Sequence, residues 1–236
     1  MRNPNLLIAA LVGIALISLS GTAFAAEEAG NTSLGKIIMG GGVIGWAIIL
    51  LSIVSLALAI EHFVTIRRDK LVPPELIDEV EALFEEEEYQ EALELCESEP
   101  NFLTNILSAG LPKINAGFDA MEKAMDEVAE EEAIKLHQKV GWLSLIGNIA
   151  PMMGLFGTVY GMIMAFNEIT RLGQAVQPQD LSKGISTALI TTLFGLFVAM
   201  PSLFFFFVFR NKVIKVSLEI TAIADDLVER FRPHAS

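Results

Sequence analysis

The chain has 236 residues, is 53% hydrophobic and has a mean hydropathy of +0.52, a balance that excludes an ordinary soluble enzyme. Its net charge of −13, from 16 basic and 29 acidic residues, argues against a nucleic-acid binder held by phosphate contacts. The single cysteine, Cys96, rules out an intrachain disulfide framework and a Cys-based zinc site. His62, His137 and His234 are too scattered for a ligand motif, so no metal and no cofactor are expected.

Taken in chain order, residues 1–25 read as a secretory signal peptide. Arg2 precedes the apolar run Leu6 to Leu19, and Ala23-Phe24-Ala25 supplies an A-x-A cleavage site; an uncleaved extra span is the alternative. Residues 26–42 then form a short periplasmic segment. Three charge-free stretches follow, Ile37 to Ile60 (24 residues), Val140 to Asn167 (28) and Gly184 to Phe209 (26). Each exceeds the roughly 20 residues that a helix needs to cross a bilayer. They predict transmembrane helices at 43–65, 140–168 and 184–209, the first starting after Gly40-Gly41-Gly42.

Basic residues set the expected orientation. Arg67, Arg68 and Lys70 follow the first span, Lys135 and Lys139 precede the second, and Arg210, Lys212 and Lys215 follow the third. By the positive-inside rule the mature N-terminus and the 169–183 loop are periplasmic, and residues 66–139 and 210–236 are cytoplasmic. The chain is therefore expected to cross a membrane three times with its C-terminus inside.

From Arg67 to Lys139 there are 20 acidic and 7 basic side chains, so this loop carries the whole net charge. Leu76, Val80, Leu83 and Phe84 fall at helical spacing after Pro73-Pro74, which predicts an amphipathic helix rather than a disordered acidic tether. Tyr89 to Glu97 reads as a second helix with Ala92, Leu93 and Cys96 on one face, and Asn101 to Leu111 as a third. Cys96 is read as a small core residue, and Glu85 to Glu88 as a solvated face. From Asp119 the helical pattern has no proline before Pro151, so one helix is expected to run from the cytosol into the membrane. The fold class is an all-α membrane protein with three transmembrane helices and a helical cytoplasmic domain, the long helices extending into the cytoplasm.

The first span has only Ser52 and Ser55 as hydroxyl side chains, as expected of an outer, lipid-facing helix. The others carry small and polar residues at helical spacing: Asn148, Gly154, Gly157, Thr158 and Gly161, then Gly184, Ser186, Thr187, Thr191, Thr192 and Gly195. Gly157 and Gly161 form a G-x-x-x-G pair suited to close helix approach. Pro151 and Pro201 each free a backbone carbonyl within a span, which nearby hydroxyls can help satisfy. For Thr191, back-bonding to its own helix is an alternative to a functional role. Phe194, Phe197 and Phe204 to Phe207 are expected to meet lipid or apolar neighbours.

The segments Gly154-Leu155-Phe156-Gly157-Thr158-Val159-Tyr160-Gly161, Gly184-Ile185-Ser186-Thr187-Ala188-Leu189-Ile190-Thr191-Thr192 and Gly195 to Pro201 resemble the MotA/TolQ/ExbB proton-channel family, ExbB most of all. The resemblance implies a homopentamer whose second and third helices line a pore around the single membrane helices of an ExbD-like dimer. It also implies an aspartate on that partner to carry the ion, and mechanical work on a TonB-like protein. The ion path would use Thr158, Thr187, Thr191 and Thr192, with Gly154, Gly157, Gly161, Gly195 and Pro201 serving helix packing. ExbB members usually carry a glutamate where Thr187 stands. The second and third spans contain no Asp, Glu, Lys, Arg or His, so any acid in the membrane path must come from a partner. Sodium in place of protons, a TolQ-like or motility role, and a non-conducting structural adaptor remain alternatives. No nucleophile and base pair, phosphate-cradling loop or metal cluster points to an enzyme.

Overall fold

The computed structural model describes residues 40–232. The expected signal peptide, nearly all of the 26–42 segment and His234 lie outside the described residues. Within them the chain is helical: α1 (Gly42–Thr65), α2 (Arg68–Leu71), α3 (Pro74–Glu85), α4 (Tyr89–Ser98), α5 (Phe102–Gly110), α6 (Phe118–Leu172) and α7 (Pro178–Val228). Short 3-10 turns lie at Leu111–Ala116, Gly173–Ala175 and Glu229–Phe231. α1, α6 and α7 are long and apolar enough to cross a membrane. α6, at 55 residues, is about 82 Å long, far more than a bilayer needs, and it runs without a break from Phe118 through Pro151 to Leu172. α7 likewise passes without a break from the third apolar stretch into the C-terminal segment.

The chain divides into two compact units, one containing residues up to Leu50 together with Pro151–Leu196, the other Leu51–Ala150 with Phe197 onward. The second contains the acidic loop. Pro74 opens α3 with Pro73 in extended conformation as its cap, so the missing N–H falls where a helix leaves donors unpaired anyway. Leu76, Val80 and Phe84 are buried, and Leu83 is partly so. Glu87 bridges α3 and α4 with φ +62°, and Ala92 and Cys96 face inward from α4.

Asn101 caps α5 through a reciprocal box: its side chain accepts from Thr104 N–H at 3.0 Å, while its own N–H donates to Thr104 Oγ1 at 2.8 Å. Pro112 ends α5, and Gly117, at φ +100°, turns the chain into α6. Leu103, Ile106 and Leu107 of α5 join Met121 and Met125 of α6 and Ile220 of α7 in a core where each is at most 1% exposed. Each such side chain contributes roughly 1.5 to 3 kcal/mol by leaving water, which is enough to order an otherwise strongly acidic segment.

Phe231 closes this core from the C-terminal side. Its ring lies 5.7 Å from that of Phe84 and 5.2 Å from that of Tyr89, both edge-on. In the same unit α1 and α7 run in one direction, Ser55 opposite Ser202 and His62 opposite Phe209. The phenylalanine run of α7 splits: Phe204 and Phe207 are about half exposed, whereas Phe205 and Phe206 pack against the core.

Candidate ion-path site

In the first unit α6 and α7 pair antiparallel through residues without side chains. A Cβ placed on Gly161 would lie 2.5 Å from the Gly184 carbonyl oxygen and 2.8 Å from the Ala188 nitrogen; one on Gly184 would lie 2.6 Å from the Gly161 oxygen. Gly157 faces the Thr191 side chain, and Gly154 faces Thr192 and the Gly195 backbone. The small residues thus bring the two helices of one chain into backbone contact, which fixes the register of every side chain between them.

That register places two of the four threonines side by side. Thr158 Oγ1 and Thr192 Oγ1 are 2.5 Å apart and half-buried. Both approach the Gly154 carbonyl oxygen, at 3.1 and 3.2 Å, and Thr192 Oγ1 also lies 3.2 Å from the Ala188 oxygen. Two hydroxyl protons serve these four contacts, so the donor pattern can change without movement of a heavy atom. Lone pairs left over can accept from water or ligate a cation, and three oxygens converge at this point. No Asp, Glu, Lys, Arg or His lies in 140–167 or 184–209, and among the described residues no cluster of His, Cys, Asp or Glu could hold a metal ion. The site therefore offers oxygen dipoles and no charge.

The other two threonines are turned into the protein. Thr187, 7% exposed, donates to the Gly40 carbonyl at 2.9 Å. Thr191, fully buried, points back to the Thr187 and Ala188 carbonyls at 3.0 Å each. This is back-bonding along its own helix. Pro201 lies within α7, in the second unit. There Ser202 donates to the Val198 oxygen at 2.7 Å, and its Oγ lies 2.6 Å from Ser55 Oγ.

In the first span most large apolar side chains are exposed, Trp46, Leu50, Ile53 and Leu56 among them, whereas Ser55 is buried at 7% exposure. His62, 3% exposed, places Nε2 3.0 Å from the Lys139 carbonyl oxygen and sets its ring edge-on to Phe209. Ser55, Ala59 and His62 recur at i, i+4 and i+7 and are all buried. That polar and small stripe in an apolar span is the signal by which they could have been found.

Three helices long and apolar enough to cross a membrane, two of them in backbone contact through glycines beside an uncharged hydroxyl pair, are the features of an integral membrane protein. Residues 97–222 match the model of the MotA/TolQ/ExbB proton channel family, and the chain belongs to it. Its members are channel and stator subunits. Relatives include a biopolymer transport protein ExbB homolog of Methanothermobacter thermautotrophicus, 32% identical over 161 residues that cover 68% of this chain and 57% of the relative. The Tol-Pal system protein TolQ of Haemophilus influenzae is 35% identical over 104 residues, 44% of this chain and 42% of the relative. The chain thus spans about half the length of these curated relatives. The structure of C. jejuni MotAB shares the fold, with a TM-score of 0.59 over 97% of each chain at 19% identity.

Proposed function

We propose that this chain is an ExbB-like ion-channel and stator subunit of the bacterial inner membrane. It forms a homopentamer around an ExbD-like dimer of single-span helices and converts the proton-motive force into mechanical work on a TonB-like protein for outer-membrane transport. The single observation that carries this reading is the Thr158–Thr192 hydroxyl pair, half-buried in a stretch with no charged side chain. An ion crossing beside it needs a carboxylate from elsewhere, and a partner helix bearing an aspartate supplies one. Thr158 and Thr192 solvate the ion at that carboxylate. Thr187 and Thr191, whose hydroxyls are engaged by backbone carbonyls, set the position of α7.

The mature N-terminus is periplasmic and the acidic domain cytoplasmic. This orientation rests on the basic residues at 67–70, 135–139 and 210–215. Co-expression with a single-span protein carrying a membrane aspartate tests the assembly. A stable complex, lost when that aspartate span is removed, is expected; a chain that purifies alone under the same conditions contradicts the proposal. A sodium-driven stator is the second reading, favoured by the three oxygens that converge at Gly154, since hard cations prefer oxygen ligands.

A further inference from the structure

At the end of the spans where α1 stops and α7 leaves its apolar stretch, two cations face one aromatic ring. The Arg67 guanidinium carbon lies 5.3 Å from the centre of the Phe63 ring, and Lys212 Nζ lies 6.0 Å from it. Arg67 Nε donates to the Phe63 carbonyl at 3.2 Å, and its two terminal nitrogens make no hydrogen bond to the described residues. The neighbouring Arg68 is satisfied within the chain by Glu219 at 2.6 Å. Among the described residues no carboxylate lies within ion-pair distance of Arg67 or Lys212. Burial first, and the Arg67 charge second, hold the Lys212 ammonium below its usual range. Two like charges thus share one half-buried ring with no carboxylate beside them, and the exposed Arg67 guanidinium leaves the pair open to an anion from outside the chain.

We propose that Arg67, Lys212 and the Phe63 ring form a binding site for the phosphate headgroup of an anionic phospholipid. Both cations follow within three residues of the predicted 43–65 and 184–209 spans, at the depth where lipid phosphates lie, which selects a lipid over free phosphate. The guanidinium supplies paired N–H donors to phosphate oxygens, the ammonium adds a point charge, and the ring packs against the glycerol and upper acyl carbons. The site is independent of the ion path, because it rests on residues of the second unit that touch none of the four threonines.

Native mass spectrometry of the full-length chain in detergent, delipidated and titrated with phosphatidylglycerol or phosphatidylcholine of the same acyl chains, tests it. Phosphatidylglycerol is expected to bind preferentially. Since each basic residue near an anionic surface is worth roughly fivefold in affinity, Arg67→Gln with Lys212→Gln should weaken it about thirtyfold, and Lys212→Gln alone about fivefold. The charge-conserving pair Arg67→Lys with Lys212→Arg should stay within severalfold of the wild type, as should Arg171→Gln, which removes a cation from the other end of the spans. Unchanged phosphatidylglycerol binding in the double glutamine variant, or in Lys212→Gln if the double variant does not fold, overturns the proposal. So does equal binding of phosphatidylcholine. Displacement of the lipid by equimolar inorganic phosphate would overturn its assignment as a lipid site.

Discussion

Gly161→Ala tests whether the glycines serve contact within one chain. The added methyl would meet the Gly184 oxygen at 2.5 Å and the Ala188 nitrogen and Cβ at 2.8 Å. None of these atoms can swing away as a side-chain tip can, so α6 and α7 must separate by about 1 Å to restore ordinary contact. Overpacking of this kind costs roughly 1 to 3 kcal/mol, and stretching the Thr158–Thr192 contact adds about 1. Replacing a helical glycine by alanine returns up to about 1 kcal/mol whatever its surroundings. Gly141→Ala isolates that last contribution, because a Cβ there meets nothing within 4 Å. The two variants should differ by roughly 2 to 4 kcal/mol, a gap of about 4 to 16 °C in melting temperature for a chain of this size. Thermal melts of the purified chain in detergent measure it. If Gly161→Ala melts at or above Gly141→Ala, the interhelical glycine contact is refuted.

Three further outcomes are expected. Ser202→Ala leaves the Ser55 hydroxyl buried without its partner and should cost about 1 to 3 kcal/mol, most of it recovered when Ser55→Ala is added; a double-mutant cycle by detergent melts measures the coupling. The Asp225 carboxyl is held above its usual range by burial, then by Asp126, Glu122 and Glu229, so the folded state binds its proton more tightly than the unfolded chain does. Its charge therefore opposes folding above the raised value and ceases to do so as pH falls to the ordinary aspartate range. Asp225→Asn should melt higher than the wild type near pH 7, with the advantage shrinking as pH falls towards the ordinary aspartate range. Burial first, and Glu97 second, push the Cys96 thiol up to about 11, so maleimide labelling near neutral pH should proceed at the rate of unfolding and accelerate in denaturant.

The parts of this structure that were legible in the sequence are those encoded by local pattern. Charge-free length marks α1, α6 and α7, helical spacing marks α3, and the absence of proline from 119 to 150 marks the continuous α6. The pairing of Thr158 with Thr192 was also within reach, because each falls on the small, polar face of its span. The roles of partners across space were not. The G-x-x-x-G spacing reports that a close contact exists but not with which helix, and the structure assigns it to α7 of the same chain. Nothing local tells Thr187 from Thr192. What separates them is the Gly40 carbonyl, 147 residues away in sequence, which occupies the Thr187 hydroxyl. Phe231 gave no signal before the C-terminal turn was seen against Phe84 and Tyr89, since one aromatic after a long helix has no period to reveal its face.

The ion path is tested most directly by ion-driven flux in liposomes containing the chain and the proposed single-span acidic partner, with proton and sodium gradients imposed separately, for the wild type and for Thr158→Val with Thr192→Val. The substitution keeps side-chain shape and removes both hydroxyls. The Gly154 oxygen retains its helix bond, so the stability cost should be about 1 kcal/mol per hydroxyl and the complex should still assemble. Proton-driven flux is expected in the wild type, and its loss in the assembled double variant. Full flux in that variant would contradict the proposed ion path.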